Sequence, residues 1–145
     1  MDKLDNLIKR LDNFDKRIEE IAVQVAKQFE PEILDMNTED QLFAKGQDAE
    51  GVSLGKYAPL TVSIKSGLGQ PTNRVTLKDT GDFHRSFFAR FVGKFITIGA
   101  TDEKAEKIED RYRKDIYGLS KANIQKLTDM LRPEMQDEFK KQILQ

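Results

Sequence analysis

The residues in this 145-residue chain whose types could do chemistry gather around Asp79-Thr80-Gly81-Asp82-Phe83-His84-Arg85-Ser86. His84 is the only histidine, so any Ser/His/Asp relay would have to be built on it. Its place beside Arg85 on a short helix reads instead as a surface or packing position. Asp79-Thr80-Gly81 matches the tripeptide in which aspartic proteases carry one of two paired carboxylates. Its flanks read differently, as a strand end running into a helix. Gly67-Leu68-Gly69 is not followed by Gly-Lys-Ser/Thr and does not make a phosphate loop. The acidic pairs Asp102-Glu103 and Glu109-Asp110 lie among Lys and Arg, which reads as a solvated helix face rather than a metal site. The absence of cysteine removes disulfides, thiolate catalysis and cysteine zinc sites. The expectation is a non-enzymatic protein with no catalytic set, no cofactor and no metal.

One pattern points toward nucleic acid. Lys65, Arg74, Lys78, Arg85, Arg90 and Lys94 interleave with Phe83, Phe87, Phe88, Phe91 and Phe95, and stacking platforms use exposed aromatics beside cations. Residues 61–100 carry six basic and two acidic side chains, while the whole chain has net charge −1. Lys78, Arg85, Arg90 and Lys94 are the candidate basic surface. Against this, a chain with few other large apolar groups needs most of those phenylalanines inside.

The elements that position these residues follow from periodicity. Leu4, Leu7, Leu11, Phe14, Ile18, Ile21 and Val25 are spaced alternately three and four, which predicts a long amphipathic helix over residues 1–30. Leu7, Leu11, Phe14, Ile18 and Ile21 are its candidate interface, within one chain or between chains. Pro31 predicts a break, and a second short helix is expected over 32–45. Residues 46–56 read as a glycine-rich loop, followed by one helical turn capped by Thr61. A strand near 75–78 leads to a structural corner at Asp79, Thr80, Gly81 and Phe83, where Asp79 or Thr80 would cap the next helix. A β-hairpin is predicted over about 86–99, turning at Gly93-Lys94. Residues 102–116 read as a charged helix or arm. Ser120 reads as the N-cap of a helix, and Pro133 as the start of another.

The resulting fold class is α+β in a single domain, 1–145. A long N-terminal helix (1–30) would cover a small antiparallel sheet in an α+β core (31–100), with a charged arm and C-terminal helices over 101–145. At 34% charged and 38% hydrophobic, the chain suits long exposed helices or a protein that completes its burial against partners. No apolar run approaches the roughly 20 residues of a membrane span, and Met1-Asp2-Lys3-Leu4-Asp5 lacks the order of a signal peptide.

Several segments then fall in a recognisable order: Gly55-Lys56-Tyr57-Ala58-Pro59-Leu60-Thr61, Lys65, Leu77-Lys78-Asp79-Thr80-Gly81-Asp82-Phe83-His84-Arg85-Ser86, the strand Ile96–Gly99, and Ile116-Tyr117-Gly118-Leu119-Ser120. Over residues 40–130 this order resembles the phage virion morphogenesis family of tail-completion and head–tail joining proteins. The charged stretch Thr101–Arg113 stands where that family has a Tyr-Ala-x-x-His-x-x-Gly run. The resemblance implies a structural virion protein of a tailed phage or prophage, placed at the neck or tail top. It would form or join a ring of its own copies and contact neck, portal-adaptor or tail-tube proteins. Passive contact with passing DNA is compatible with that place, and no membrane is involved. The expected location is the virion, with the host cytoplasm during assembly. Two other readings stand beside it: a cytoplasmic coiled-coil interaction or regulatory protein using the N-terminal heptads, and a single-stranded nucleic-acid-binding module using the Phe-rich hairpin.

Overall fold

The computed structural model describes the backbone of residues 2–143 and the side chains of residues 3–7, 9 and 16–142. Helix α1 spans Asp2–Gln28 and carries the heptad seam. Its seam is not uniformly buried: Leu4 and Leu7 are exposed, whereas Ile21 and Val25 are fully covered. The chain then turns through α2 (Glu30–Asp35), with Pro31 in its first turn, where a missing N–H costs nothing. A π-helix, Met36–Ala44, follows without a break. Its wide turn keeps residues four apart on one side, so Asn37, Thr38, Gln41 and Leu42 all point inward.

Helix α3 (Pro59–Gly67) starts at Pro59, with Ala58 as its extended N-cap. Thr61 therefore lies inside the helix and does not cap it. The short α4 (Asp82–Arg85) precedes strands β1 (Phe87–Val92) and β2 (Phe95–Ala100). These pair antiparallel, Phe87 opposite Ala100 and Val92 opposite Phe95. Helix α5 (Ala105–Tyr112) and a 3₁₀ turn (Lys114–Ile116) lead to α6, Lys121–Ile143.

The expected arrangement needs correction. The chain is 60% helical, and a long helix closes its C-terminus where shorter ones were expected. That helix, α6, is the element that packs along α1, so α1 covers the sheet only with its end, at Ala26. Pro133 lies within α6 and starts no new helix. Leu127, Leu131, Met135 and Phe139, four residues apart, keep one face of α6 buried or half-buried on both sides of the proline, and that packing outweighs one lost backbone bond.

Among the described residues the sheet has two strands, not three. Val75 and Thr76 are buried, but among the described residues no strand pairs with them; the Val75 N–H donates to the Gly55 carbonyl (3.3 Å). Leu77 has φ +57°, a left-handed conformation that no extended strand accommodates. Side chains replace the missing ladder. The Thr76 N–H donates to the Tyr57 hydroxyl (2.8 Å), the Thr76 carbonyl faces His84 Nε2 (2.9 Å), and the Lys78 carbonyl accepts from Lys65 Nζ (3.1 Å).

Two hydrophobic clusters fill the interior. Leu42, Phe83, Phe87, Ala105 and Ile116 form the first. Ala26, Ile33 and Leu127 form the second, with Phe91 and Ile98 from the inner face of the hairpin against them. The hairpin thus rests on α2 and on the place where the end of α1 meets α6. Glu30 Oε1 accepts from the Ala89 N–H (3.3 Å) and occupies part of the outer edge of β1.

Candidate functional site

The corner is built from the residues upward. Gly81 is the N-cap of α4, at φ +92°, and a Cβ there would meet the Arg85 guanidinium at 2.7 Å. Gly81 holds the N-cap position, and Thr80 caps the helix from one residue earlier: its Oγ1 accepts from the N–H of Asp82, the first residue of α4 (3.3 Å). The Asp79 carbonyl accepts from Gln70 Nε2 (3.0 Å). Phe83 is buried and meets Phe87 edge-on, with ring centroids 5.1 Å apart. The Thr80 hydrogen bond and the Arg85 partner hold the Asp82 carboxyl below the ordinary carboxylate value.

His84 sits beneath this corner, 6% exposed. A carbonyl can only accept, so Nε2 carries the proton toward Thr76. Nδ1 is then a bare lone pair, with no partner among the described residues. Burial holds this imidazole below its ordinary pKa; the Thr76 hydrogen bond and the Glu39 charge oppose the shift, and Lys78 adds to it. Asp35, Glu39, Lys78, His84 and Arg85 line a pocket of about 280 Å³ here. Among the described residues no group of three or more His, Asp or Glu side chains is placed to hold a metal ion.

A second polar set was not visible in the sequence. Asn37 donates to the Ile116 carbonyl (2.8 Å) and accepts from the Gly118 N–H (2.8 Å). Gln41 donates to the Gly118 carbonyl (2.9 Å) and accepts from the Ser120 N–H (2.8 Å) and from Asn123 Nδ2 (2.8 Å). All three amide side chains are almost fully buried. Asn123 also reaches Asp40 Oδ2 (3.0 Å). Burial raises the Asp40 pKa, but the Asn123 hydrogen bond and the Lys45 charge outweigh it, and the net shift is downward. This clamp fixes the Ile116–Ser120 segment against the π-helix. Ser120 then caps α6, its Oγ accepting from the Asn123 N–H (3.3 Å). The available signal was the four-residue spacing of Asn37 and Gln41 amid Ile33, Leu34 and Leu42.

The outer surfaces are unusual. The buried residue of α3 is Lys65, whose Nζ bonds Gln70 Oε1 (3.2 Å) and lies 4.7 Å from the Tyr57 ring centroid. Its large aliphatics face out: Leu60 is 74% exposed, Ile64 57%, and Leu68 at the C-cap 62%. The hairpin has a similar uncovered side. Its strand register puts Phe88, Arg90, Val92, Phe95, Thr97 and Gly99 on the outer face. Val92 is 70% and Phe95 66% exposed, and the Phe88 ring lies across Gly99.

The candidate basic residues fall into two pairs. Lys78 lies 4.6 Å from the Phe43 ring centroid and 3.9 Å from Glu39, while Arg85 pairs with Asp82; both line the His84 pocket. Arg90 lies over Phe88 and Lys94 over Phe95, on the hairpin. Of the heptad candidates, Leu7 is exposed, Ile18 half-buried and Ile21 buried, whereas the side chains of Leu11 and Phe14 lie outside the described residues. Among the described residues no helix is long and apolar enough to cross a membrane. No protein-family model matches this chain, and no curated protein or solved structure matches it either.

Proposed function

We propose that this chain is a structural virion protein of a tailed phage or prophage, acting at the neck or tail top by forming or joining a ring. The observation that carries the reading is where the segments of the resemblance lie. Gly55–Thr61, Leu77–Ser86 and Ile116–Ser120 are far apart in sequence, yet they meet around one core. Lys65 bonds the Lys78 carbonyl and stands over the Tyr57 ring, and Phe83 and Ile116 share one cluster with Leu77 and Tyr117 packed against it. Segments that pack together in this way behave as one folding unit, as a shared scaffold would require. The work of such a protein is assembly. It contributes surface, and its exposed apolar groups gain burial only when neighbours arrive.

The coiled-coil regulator loses ground because Ile21 and Val25 are spent inside the chain. The nucleic-acid reading loses ground because Phe83 and Phe87 are buried, where they offer no stacking face. The test is the mass of the purified chain, alone and mixed with candidate portal-adaptor and tail-tube proteins. A ring-sized species, or a monomer that joins a ring with those partners, is the expected result. A plain dimer indifferent to them overturns the proposal.

A further inference from the structure

Helix α3 turns a ridge of Leu60, Ile64 and Leu68 to water and Lys65 inward. Lys65 is 9% exposed, and among the described residues no carboxylate forms an ion pair with it. An ammonium has three donors. Gln70 Oε1 takes one at 3.2 Å, and the Lys78 carbonyl takes another at 3.1 Å. The third has only the Tyr57 ring, whose centroid lies 4.7 Å from the nitrogen. Both acceptors are neutral, and a ring face answers a cation only in part. Buried charges are ordinarily paired, so this lysine is short of an anion.

Lys65 lines a cleft of about 260 Å³ between the corner and the start of α5. Leu77, Phe83 and Ile108 give the cleft apolar walls, and Thr80 and Lys104 stand on it as well. Lys104 is exposed and makes no ion pair among the described residues. Thr80 Oγ1 accepts from the Asp82 N–H, and its own proton has no acceptor among the described residues. Two other charges border the cleft. Lys78 spends its charge on Glu39 and the Phe43 ring, and Asp79 is exposed to water.

We propose that this cleft binds a carboxylate carried on a short apolar body, with Lys65 and Lys104 on the carboxylate and Leu77, Phe83 and Ile108 against the body. The Thr80 hydroxyl is a third donor to the same group. A phosphate fits less well. Phosphate recognition favours guanidinium forks, and no arginine lines the cleft. The body follows from the walls, since a hydrated ion alone would leave three apolar side chains wet. Ligand sites commonly have this make-up, apolar walls with a few convergent polar groups. The site does not depend on the ring reading. A free acid and an acidic residue of a neighbouring chain carry the same chemistry.

The probe is isocaproate, titrated into the full-length isotope-labelled chain and followed in amide NMR spectra. Saturable shifts are expected at Tyr57, Leu77, Thr80 and Ile108, with a Kd of about 1 mM, an ordinary value for so small a ligand. The neutral isocaproamide and inorganic phosphate are expected to bind there about tenfold more weakly or worse, since each loses part of the match. Lys65→Met should remove the binding, and Lys104→Ala should weaken it about threefold. Where Lys65→Met is too unstable to assay, the acid–amide comparison in the wild type decides alone. A blocked peptide whose sole carboxylate is a glutamate between leucines separates the two sources. Tighter binding of the peptide assigns the site to a neighbouring chain, and tighter binding of the free acid assigns it to a small molecule; both support the site. No shifts in the cleft at about 20 mM isocaproate, where such a site is almost full, overturn the proposal. So does an amide or a phosphate that binds as tightly as the acid, or a folded Lys65→Met that binds like the wild type.

Discussion

The corner at Val75–His84 and helix α3, which straps it, treat burial in opposite ways. The corner takes polar backbone inside and satisfies it group by group: Tyr57 bonds the Thr76 N–H, His84 its carbonyl, and Lys65 the Lys78 carbonyl. Helix α3 supplies one of those straps and leaves its aliphatic residues in water. The two facts have one cause. A lysine long enough to reach the Lys78 carbonyl must face the corner, and with Lys65 so placed Leu60, Ile64 and Leu68 are left exposed. The general lesson is that an exposed apolar face need not be a packing defect. It can be the cost of organising a buried polar site, and assembly then uses it. The comparison predicts that polar groups inside carry the stability of the fold and apolar groups outside carry its association.

The largest effect is expected at the second buried polar set. Gln41→Leu removes one side chain, strips the Gly118 carbonyl and the Ser120 N–H of their Gln41 partner, and leaves the Asn123 amide only Asp40 and the Met36 carbonyl. Each stranded buried group costs about 1–3 kcal/mol, so a loss of roughly 3–5 kcal/mol is expected in urea unfolding. A loss below about 1 kcal/mol would show that the clamp contributes little to stability. Gly46 comes next. It lies at φ +60°, and a Cβ there would sit 2.8 Å from the Val75 carbonyl oxygen, which belongs to the strapped segment. Gly46→Ala is expected to cost about 1–3 kcal/mol from conformational strain and displaced backbone. The check is the same unfolding experiment.

These two positions also mark how far the sequence could be read. The alternating three-and-four spacing of the first helix and the alternation around Gly93 are local signals, and both elements are present. Ser120 caps α6 because its signal is also local. Val75-Thr76-Leu77 has strand-forming residues, but its backbone partners are the Gly55 carbonyl, the Tyr57 hydroxyl and His84, brought in by tertiary folding, and such context overrides β-propensity. Asn37, Gln41 and Asn123 read as ordinary surface amides until the π-helix turns the first two inward. The heptad seam revealed its helix but not its partner. Periodicity gives the apolar side of an element and says nothing about which neighbour covers it. For α3 even that rule fails, because Lys65 decides which side faces the protein.

A smaller effect is expected from pH. His84 is buried and neutral, with its pKa held below the ordinary value of 6.5. The sign follows from proton counting. Below about pH 6.5 the unfolded chain binds a proton that the folded chain resists, so stability is intact above that value and declines as pH falls toward the folded-state pKa. Protonation would place an N–H at Nδ1, where no described residue accepts it. The urea midpoint of the wild type should fall between neutral pH and the region where carboxylates begin to titrate. In His84→Gln the slope over that window should flatten, whatever the absolute stability of the variant. An unchanged slope would mean that the imidazole protonates in place, with Glu39 answering the charge.

The smallest effect on stability belongs to α3, and it is the sharpest test of the comparison. Ile64 is 57% exposed, so Ile64→Ser removes little that the isolated chain has buried. Its unfolding free energy is expected to stay within about 0.5 kcal/mol of wild type. Lys65→Met, one residue along the same helix, inverts the experiment. It keeps the bulk but strands the Lys78 carbonyl and the Gln70 amide oxygen, and it should cost about 1–3 kcal/mol while leaving the ridge in place. If the comparison is right, the serine variant keeps its stability and loses self-association, and the methionine variant loses stability and keeps self-association wherever it remains folded. If both variants lose stability together, the ridge is part of the interior in solution, and the opposition between the two regions collapses.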